Sequence, residues 1–161
     1  MKSAVILGAI AITVEYWEER QADGTQETGC RVQLRRVRVA PAPVPPPVPR
    51  RDAVFWSIED PIWRADLFGE VGGAPFDAAH FHPTFSGLTP GDRVFDPALT
   101  ADPLAWITGR LRDVPAMLVE AGRADLVGDL DRAALEQALP AVLEAIRVTL
   151  AFRPAVPDMA G

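Results

Sequence analysis

Apolar and polar residues alternate along the first part of the chain. One side of this pattern holds Ile10, Ile12, Val14 and Tyr16, and the other holds Thr13, Glu15 and Trp17. A period of two is typical of a strand with one buried face. The apolar run at residues 4–12 continues into this alternation without a break. We therefore predict one long first strand.

A return strand is expected next. Asp23-Gly24 and Gly29 are typical of a hairpin loop. The apolar positions that follow the loop are Val32 and Leu34, and then Val37 and Val39. The alternation breaks between these two pairs at Arg35-Arg36, and a β-bulge there would restore it.

A proline-rich segment interrupts the strand pattern. Six prolines lie between residues 41 and 49. Proline cannot donate a hydrogen bond to a sheet or continue a helix, so residues 41–51 are predicted to form an extended polyproline II connector. The Pro-x-x-Pro spacing is also that of ligands for aromatic grooves, which leaves recruitment of a partner as an alternative.

A second strand-rich unit is predicted at residues 52–68. Residues 54–58 and 62–68 are rich in apolar and aromatic side chains, and Glu59-Asp60-Pro61 between them is typical of a turn. A glycine-containing loop follows at residues 69–75. Residues 76–85 then form a further segment that carries both histidines, and residues 86–92 are again expected to be loop.

The period changes from two to about 3.6 after residue 96. We predict helices that begin at Thr100 or Asp102, at Asp113 and at Asp131, each an N-cap residue before an apolar stripe. Gly122 is a C-terminal stop for the second helix. Pro140 should kink the last helix or split it in two.

These elements predict an α+β fold with N-terminal antiparallel β-hairpins or a meander, followed by a C-terminal helical segment that packs on the sheet. The chain of 161 residues is 48% hydrophobic and 24% charged, which is typical of a globular protein. We expect one domain over residues 1–152, with the connector inside it, and a tail at residues 153–161.

The composition bears on the cellular compartment. The single cysteine, Cys30, cannot form an internal disulfide, so nothing requires an oxidising compartment. The N-terminal apolar run is shorter than the roughly 20 residues that span a bilayer. We interpret it as a strand, with a signal peptide as the alternative, and expect a cytoplasmic bacterial protein without a membrane segment.

An excess of Ala, Arg, Pro, Gly and Val indicates a GC-rich genome.

Charge is unevenly placed. The net charge is −6, yet residues 31–51 contain six arginines and no acid. A net acidic protein is a poor general nucleic-acid binder. The local stripe of Arg31, Arg35, Arg36 and Arg38 could still meet a phosphate or an acidic partner. The alternative is a solvated strand face.

The candidate chemistry gathers around His80 and His82, the two histidines of the chain. On a strand, residues two apart point to the same face, so both imidazoles should project together. Paired imidazoles suit two kinds of site. One is ligation of a zinc-like or iron-like ion, and the other is acid–base catalysis near neutral pH.

A metal ion would require a third ligand, and the chain has no third histidine. A carboxylate must supply it, and the candidates are Asp66, Asp77, Glu59 and Asp92. The set that we select for a divalent metal is His80, His82 and Asp77. No other cofactor is predicted.

A site without metal would use His80 or His82 as general base. Asp66 would support the pair, and Arg64 or Arg93 would bind developing negative charge, as in a ribonuclease. The structural alternative is that the histidines bind Asp66 or Asp77 and fasten a hairpin.

The order of these features resembles small bacterial toxins of the TumE type, which belong to toxin–antitoxin pairs. Arg64-Ala65-Asp66 matches their Arg-x-Asp element, and His80-Phe81-His82 matches their His-x-His cluster. The resemblance covers residues 10–114. The loop between the two elements is longer here, and the proline-rich insert and the helices beyond residue 115 are additional. The resemblance implies a growth-inhibiting toxin, or a descendant without that activity, paired with an antitoxin.

Two functions follow from the sequence. The first is a protein-binding or regulatory module of the toxin–antitoxin kind, with an antitoxin as partner. The second is a small hydrolase or ribonuclease centred on His80 and His82. The sequence does not decide between an enzyme and a binding module, and it predicts neither a substrate nor an oligomeric state.

Overall fold

The computed structural model describes residues 2–20, 26–40, 54–68 and 79–152. Six strands form one antiparallel sheet in the order β1-β2-β3-β4-β5-β8. They are β1 Lys2–Leu7, β2 Ile10–Arg20, β3 Gln26–Ala40, β4 Phe55–Phe68, β5 His80–His82 and β8 Val94–Phe95. A small hairpin, β6 Phe85–Ser86 and β7 Thr89–Pro90, lies between β5 and β8 in the chain.

The helical half follows the sheet in the chain. The α-helices are α1 Pro97–Ala101, α2 Pro103–Leu111, α3 Val114–Glu120 and α4 Arg132–Ala151, and a 3-10 helix spans Ala124–Asp129. The predicted α+β class, with an antiparallel sheet followed by helices that pack on it, is therefore confirmed.

The N-terminal apolar run is not one strand, as the alternation predicted, but two. It turns back at Gly8-Ala9, so that Leu7 pairs with Ile10 and Lys2 with Glu15. Gly8 has φ +76°, a conformation that glycine adopts without strain and that suits a two-residue hairpin loop.

The predicted pairing of β2 with β3 is confirmed over the whole length of β2, from Ile10 opposite Arg36 to Arg20 opposite Gln26. Gly29, which we had assigned to the loop, lies inside β3 and pairs with Trp17. Its position leaves no room for a side chain, because a Cβ there would lie 2.4 Å from the Leu67 carbonyl oxygen. Asp23-Gly24 lies outside the described residues.

The turn predicted at Glu59-Asp60-Pro61 is wrong, because β4 runs through it as one strand. The register with β3 shifts on both sides of Arg35, as the predicted bulge required, but the extra residues are on β4. Pro61 pairs with Arg35 between the two register shifts, and proline is tolerated in a strand at such an interruption of the regular ladder. β3 alternates without interruption, so Val37 and Val39 share the face of Arg35 and not that of Leu34.

Aspartates begin all four α-helices. The side chains of Asp96, Asp102, Asp113 and Asp131 each accept a hydrogen bond from a backbone N–H in the first turn. Asp102 rather than Thr100 therefore caps the helix with Pro103, and Gly122 follows α3 with φ +69°. α4 continues through Pro140, so the predicted split does not occur. The short helix α1 and the 3-10 helix were not predicted.

The core lies between the helices and one face of the sheet. Its fully buried side chains include Leu7, Ile12, Leu34 and Trp63 from the sheet, and Ile107, Leu111, Leu118 and Ile146 from the helices. Since side chains alternate along a strand, Arg64 and Asp66, which lie between Trp63 and Leu67 on β4, point to the other face of the sheet. That face carries the candidate site.

Several predicted segments lie outside the described residues: the connector at 41–51, the tail at 153–161, the loop at 69–75 and Asp77. Among the helices described, none is both long enough and apolar enough to cross a bilayer. The loop predicted at residues 86–92 contains most of the small β6–β7 hairpin.

Candidate functional site

Two rows of polar side chains cross the face of the sheet that the helices leave uncovered. The first row is Lys2, Glu15, Arg31, Asp66 and His80, each paired in register with the next on the neighbouring strand. The second row is Thr13, Gln33, Arg64 and His82. Cross-strand partners have Cβ atoms about 5 Å apart, so the register brings these side chains into contact.

Charges alternate along the first row. Lys2 Nζ lies 2.9 Å from Glu15 Oε2, and Arg31 Nη1 lies 4.0 Å from Glu15 Oε1. Arg31 then donates from Nε to Asp66 Oδ1 over 2.7 Å. The row thus runs from exposed Lys2 to Asp66, whose side chain is 3% exposed.

Asp66 is the centre of the site, because two guanidinium groups meet its carboxylate. Arg31 Nε contacts Oδ1, and Arg64 Nε lies 2.7 Å from Oδ2. The Nε2 atoms of His80 and His82 lie 3.6 Å and 3.8 Å from the same Oδ2. The structure therefore places four of the predicted site residues, Asp66, Arg64, His80 and His82, next to one another.

His82 is held in one protonation state by its partners. Arg64 Nη2 can only donate, so His82 Nε2 accepts its hydrogen bond over 2.9 Å. The Gly91 carbonyl oxygen can only accept, so the proton of the neutral ring is on Nδ1, which donates over 2.8 Å. His82 is thus a neutral imidazole with its basic nitrogen turned toward Asp66.

Both histidines favour the uncharged form. Burial is the main cause that lowers the pKa of His80 below 6.5, and Arg93 adds to it, whereas Asp66 acts in the opposite direction. Burial likewise lowers the pKa of His82, and its bond to the Gly91 carbonyl partly opposes this. The rings lie 5.1 Å apart at 80°, so they share one side of β5 as predicted.

The site is nearly closed to solvent. The side chains of Asp66, His80 and His82 are 3%, 6% and 4% exposed, whereas those of Arg31 and Arg64 are 28% and 16% exposed. A ligand that approached from solvent would therefore meet the guanidinium groups before the imidazoles.

The β6–β7 hairpin borders the site beside His82. The Phe85 ring lies 5.9 Å from the Arg64 guanidinium, and Gly91 N donates to Thr84 O over 2.9 Å. Gly91 therefore joins the base of the hairpin with its N–H and holds His82 with its carbonyl. No sequence pattern indicated this role for Gly91.

The helices support the site from the opposite face of the sheet. Phe81 lies between the two histidines in the chain and packs 5.9 Å from Trp63 and 5.2 Å from Trp106. The Arg110 guanidinium lies about 5.5 Å from all three of these rings. β5 is therefore fixed by α2, although it has only three residues.

Asp66, His80 and His82 have the donor types of a metal site, with ligand atoms within 4.8 Å of one another. The charges oppose a cation. Arg64 already donates to His82 Nε2 and forms an ion pair with Asp66 Oδ2, and with Arg31 it places two positive charges against the single negative charge of Asp66. These residues fit an anion better than a divalent cation.

Two of the other predicted ligands, Glu59 and Asp92, do not join this cluster. Glu59 pairs with Arg38 over 2.8 Å, Asp92 is exposed on the loop before β8, and Asp77 is outside the described residues. Arg93 is exposed, and its charge lowers the pKa of both histidines.

The arginines of β3 do not form one stripe. Alternation places Arg31 and Arg35 on the face of the site, and Arg36 and Arg38 on the opposite face. Arg35 donates to Gln33 Oε1 and to the Glu59 carbonyl. Arg31 was considered as a contact for a phosphate or an acidic partner and not as a partner of Asp66, because its contact with Asp66 depends on the register of β3 with β4.

An antiparallel sheet with helices on one face and a buried His–Asp–Arg cluster on the other defines an α+β protein with a candidate acid–base site. No family model, no curated protein and no solved structure matches the chain. The resemblance to TumE-type toxins stays a prediction.

Proposed function

We propose that the protein is a small metal-independent phosphodiesterase of the ribonuclease type. The observation that supports this most directly is the state of His82, which is neutral, has Nε2 as an acceptor, and lies against Asp66, Arg64 and His80. A neutral imidazole beside cationic donors is suited to accept a proton next to an anionic substrate.

The charge of the site favours such a substrate. Lys2, Arg31 and Arg64 pair with Glu15 or Asp66, and Arg93 lies close enough to shift the histidine pKa values. Four cationic groups thus face two carboxylates, in a protein whose net charge is −6. A phosphodiester would neutralise part of this local excess.

The reaction uses the ribose itself as nucleophile, so it requires no metal-bound water. The 2′-oxygen forms a bond to the adjacent phosphorus while the bond from phosphorus to the 5′-oxygen of the next nucleotide breaks. The proton of the 2′-hydroxyl passes to one imidazole, and the other imidazole protonates the departing 5′-oxygen. The products are a 2′,3′-cyclic phosphate and a 5′-hydroxyl.

The two histidines have different partners and therefore different roles. His82 is the base, and a phosphate that draws Arg64 Nη2 away would free its Nε2, since a charge-assisted bond to phosphate is stronger than one to a neutral ring. His80 is the acid in its protonated fraction, which Asp66 favours although burial, the larger effect, lowers its pKa. Since both pKa values are lowered, cleavage should be fastest below pH 6.5.

The test is cleavage of a fluorogenic single-stranded RNA and of the DNA strand with the same sequence. We expect cleavage of RNA alone, unaffected by EDTA, with cyclic phosphate ends detected by mass spectrometry. His80→Ala and His82→Ala should each lower the rate by about 10²- to 10⁴-fold. Arg112→Ala, an exposed change on α2's C-terminal side, is the matched control.

Cleavage of DNA at the same rate, or loss of activity in EDTA, would rule out this mechanism. Stoichiometric zinc or iron in the purified protein, measured by elemental analysis, would also rule it out. Asp66, His80 and His82 would then be the ligands of a metal site. If the folded protein cleaves no RNA, the proposed activity is wrong and the cluster has a structural role.

A second candidate is a partner-binding module of the toxin–antitoxin kind. One observation favours it: apolar side chains are exposed where β3 and β4 extend past β2, namely Val39 at 65%, Val54 at 60% and Trp56 at 49%. Such surfaces often bind another protein. Co-expression with the product of the adjacent gene should give a complex that Trp56→Glu disrupts. If wild-type protein purifies alone, this candidate is removed.

A further inference from the structure

An exposed aromatic ring lies beside the buried histidines. Phe95 pairs in register with His80 across the β5–β8 ladder, and its ring lies 5.7 Å from the imidazole. It is 55% exposed, whereas Phe81, on the other face of β5, is 7% exposed. Phe95, unlike Phe81, therefore does not serve to fill the core between the sheet and the helices.

A cationic side chain accompanies this ring. Arg93 precedes Phe95 by two residues, and in extended chain such residues point the same way. Its charge lowers the pKa of His80, His82 and Arg64, as expected for a cation near these groups. Val94, between the two, pairs with Phe81 on the side of the core.

We propose that Phe95 is a stacking platform for one nucleobase of single-stranded RNA, with the neighbouring phosphate held by Arg93 and Arg64. This inference rests on the proposed function and names how its substrate is bound. A nucleotide carries a flat, weakly polar base and an anionic phosphate on one sugar, and so matches an exposed ring next to a cationic cluster. Stacking on aromatic side chains and backbone contact with arginine are the means by which proteins bind single strands.

The position of the ring determines what it can do. Phe95 is on the last strand of the sheet, so among the described residues no further strand covers its outer side. The side of the ring near His80 directs a stacked nucleotide toward the imidazole that would protonate the leaving oxygen. Phe95 is therefore a binding residue for the reaction and has no part in proton transfer.

The test measures binding without cleavage. Fluorescence anisotropy with the wild-type protein and a short RNA whose 2′-hydroxyls are methylated reports affinity, since this strand has no nucleophile. Phe95→Ala should weaken binding about 5- to 100-fold, the range expected for one base stacked on an aromatic ring. Phe95→Trp should retain the affinity, and Phe95→Leu, which keeps an apolar side chain, should lose most of it.

Two controls separate stacking from other effects. Val119→Ala removes a comparably exposed apolar side chain on α3, away from the site, and should leave affinity unchanged. A strand with an abasic nucleotide at the stacked position should bind wild type and Phe95→Ala equally well. If Phe95→Ala weakens the abasic strand as much as the intact one, or weakens neither, the proposal is wrong.

The two proposals fail in different ways. Binding that depends on Phe95 and the base, without cleavage of unmodified RNA, would overturn the phosphodiesterase and leave a nucleic-acid site. Cleavage of RNA that is indifferent to Phe95→Ala would overturn the platform alone.

Discussion

Asp66 shows how a buried charge is accommodated. A carboxylate that is 3% exposed would be strongly destabilising without partners, and two arginines supply them. The imidazoles beside it are kept neutral, so the charge to be compensated is that of the Asp66 carboxylate. Arg31 and Arg64 supply two positive charges against this single negative charge. This surplus, rather than the histidines alone, makes the site a candidate for anions.

The neutral histidines should make stability depend on pH. In the unfolded chain each titrates near 6.5, whereas burial lowers the pKa of both in the folded protein. Below pH 6.5 the unfolded state therefore binds protons that the folded state excludes. The stability that depends on neutral histidines should be fully present above pH 6.5. The free energy of unfolding should then fall as the pH drops below 6.5 and level off below the lowered pKa values.

Urea unfolding followed by tryptophan fluorescence between about pH 8 and pH 5 measures this dependence. The double variant His80→Gln/His82→Gln keeps polar side chains that do not titrate, so its curve should be flatter than that of the wild type. Equal slopes for the two proteins would mean that the histidines are not held neutral.

At the scale of elements, the β6–β7 hairpin depends on one glycine. Gly91 N donates to Thr84 O, and Gly91 O accepts from His82 Nδ1. A Cβ at this position would lie 2.5 Å from Thr84 Oγ1 and 3.1 Å from Thr84 O. The same residue thus joins the base of the hairpin and sets the tautomer of His82.

Gly91→Ala should therefore move the hairpin and weaken the bond to His82. We expect a loss of about 1–2 kcal/mol in the free energy of unfolding, typical of local overpacking. We also expect a lower pKa for His82, since the Gly91 carbonyl raises it. NMR titration of the imidazole resonances measures the second effect.

Thr84→Ala is the matched change, because it removes the hydroxyl that the new methyl group would meet. The double variant should regain most of the stability. If Gly91→Ala leaves both the stability and the His82 pKa unchanged, the hairpin does not hold His82 as described.

At the scale of the whole molecule, the sheet separates two environments. One face, with Trp63, Phe81 and Leu67, packs on the helices, and the other carries the polar rows. β5 contributes to both, since Phe81 enters the core while His80 and His82 point away from it. The packing of the helices on the sheet and the geometry of the site are therefore linked through the three residues of β5.

The sequence by itself determined the features that depend on neighbours along the chain. Alternation predicted β2 and the shared side of His80 and His82, and each aspartate before an apolar stripe predicted a helix start at Asp102, Asp113 and Asp131. These are local effects of backbone geometry and capping. It could also predict that Asp66 and Arg64 belong with the histidines, since few other groups suit that chemistry.

Only the tertiary structure decided how distant segments align. The N-terminal run became two strands because Gly8 allows the turn, and β4 passed through Pro61 because an interruption of the regular ladder tolerates proline. The register of β3 with β4 brought Arg31 to Asp66, and the loop after β7 brought Gly91 to His82. Strand register depends on burying one face against the helices, a condition set by the whole core and by no short pattern of residues.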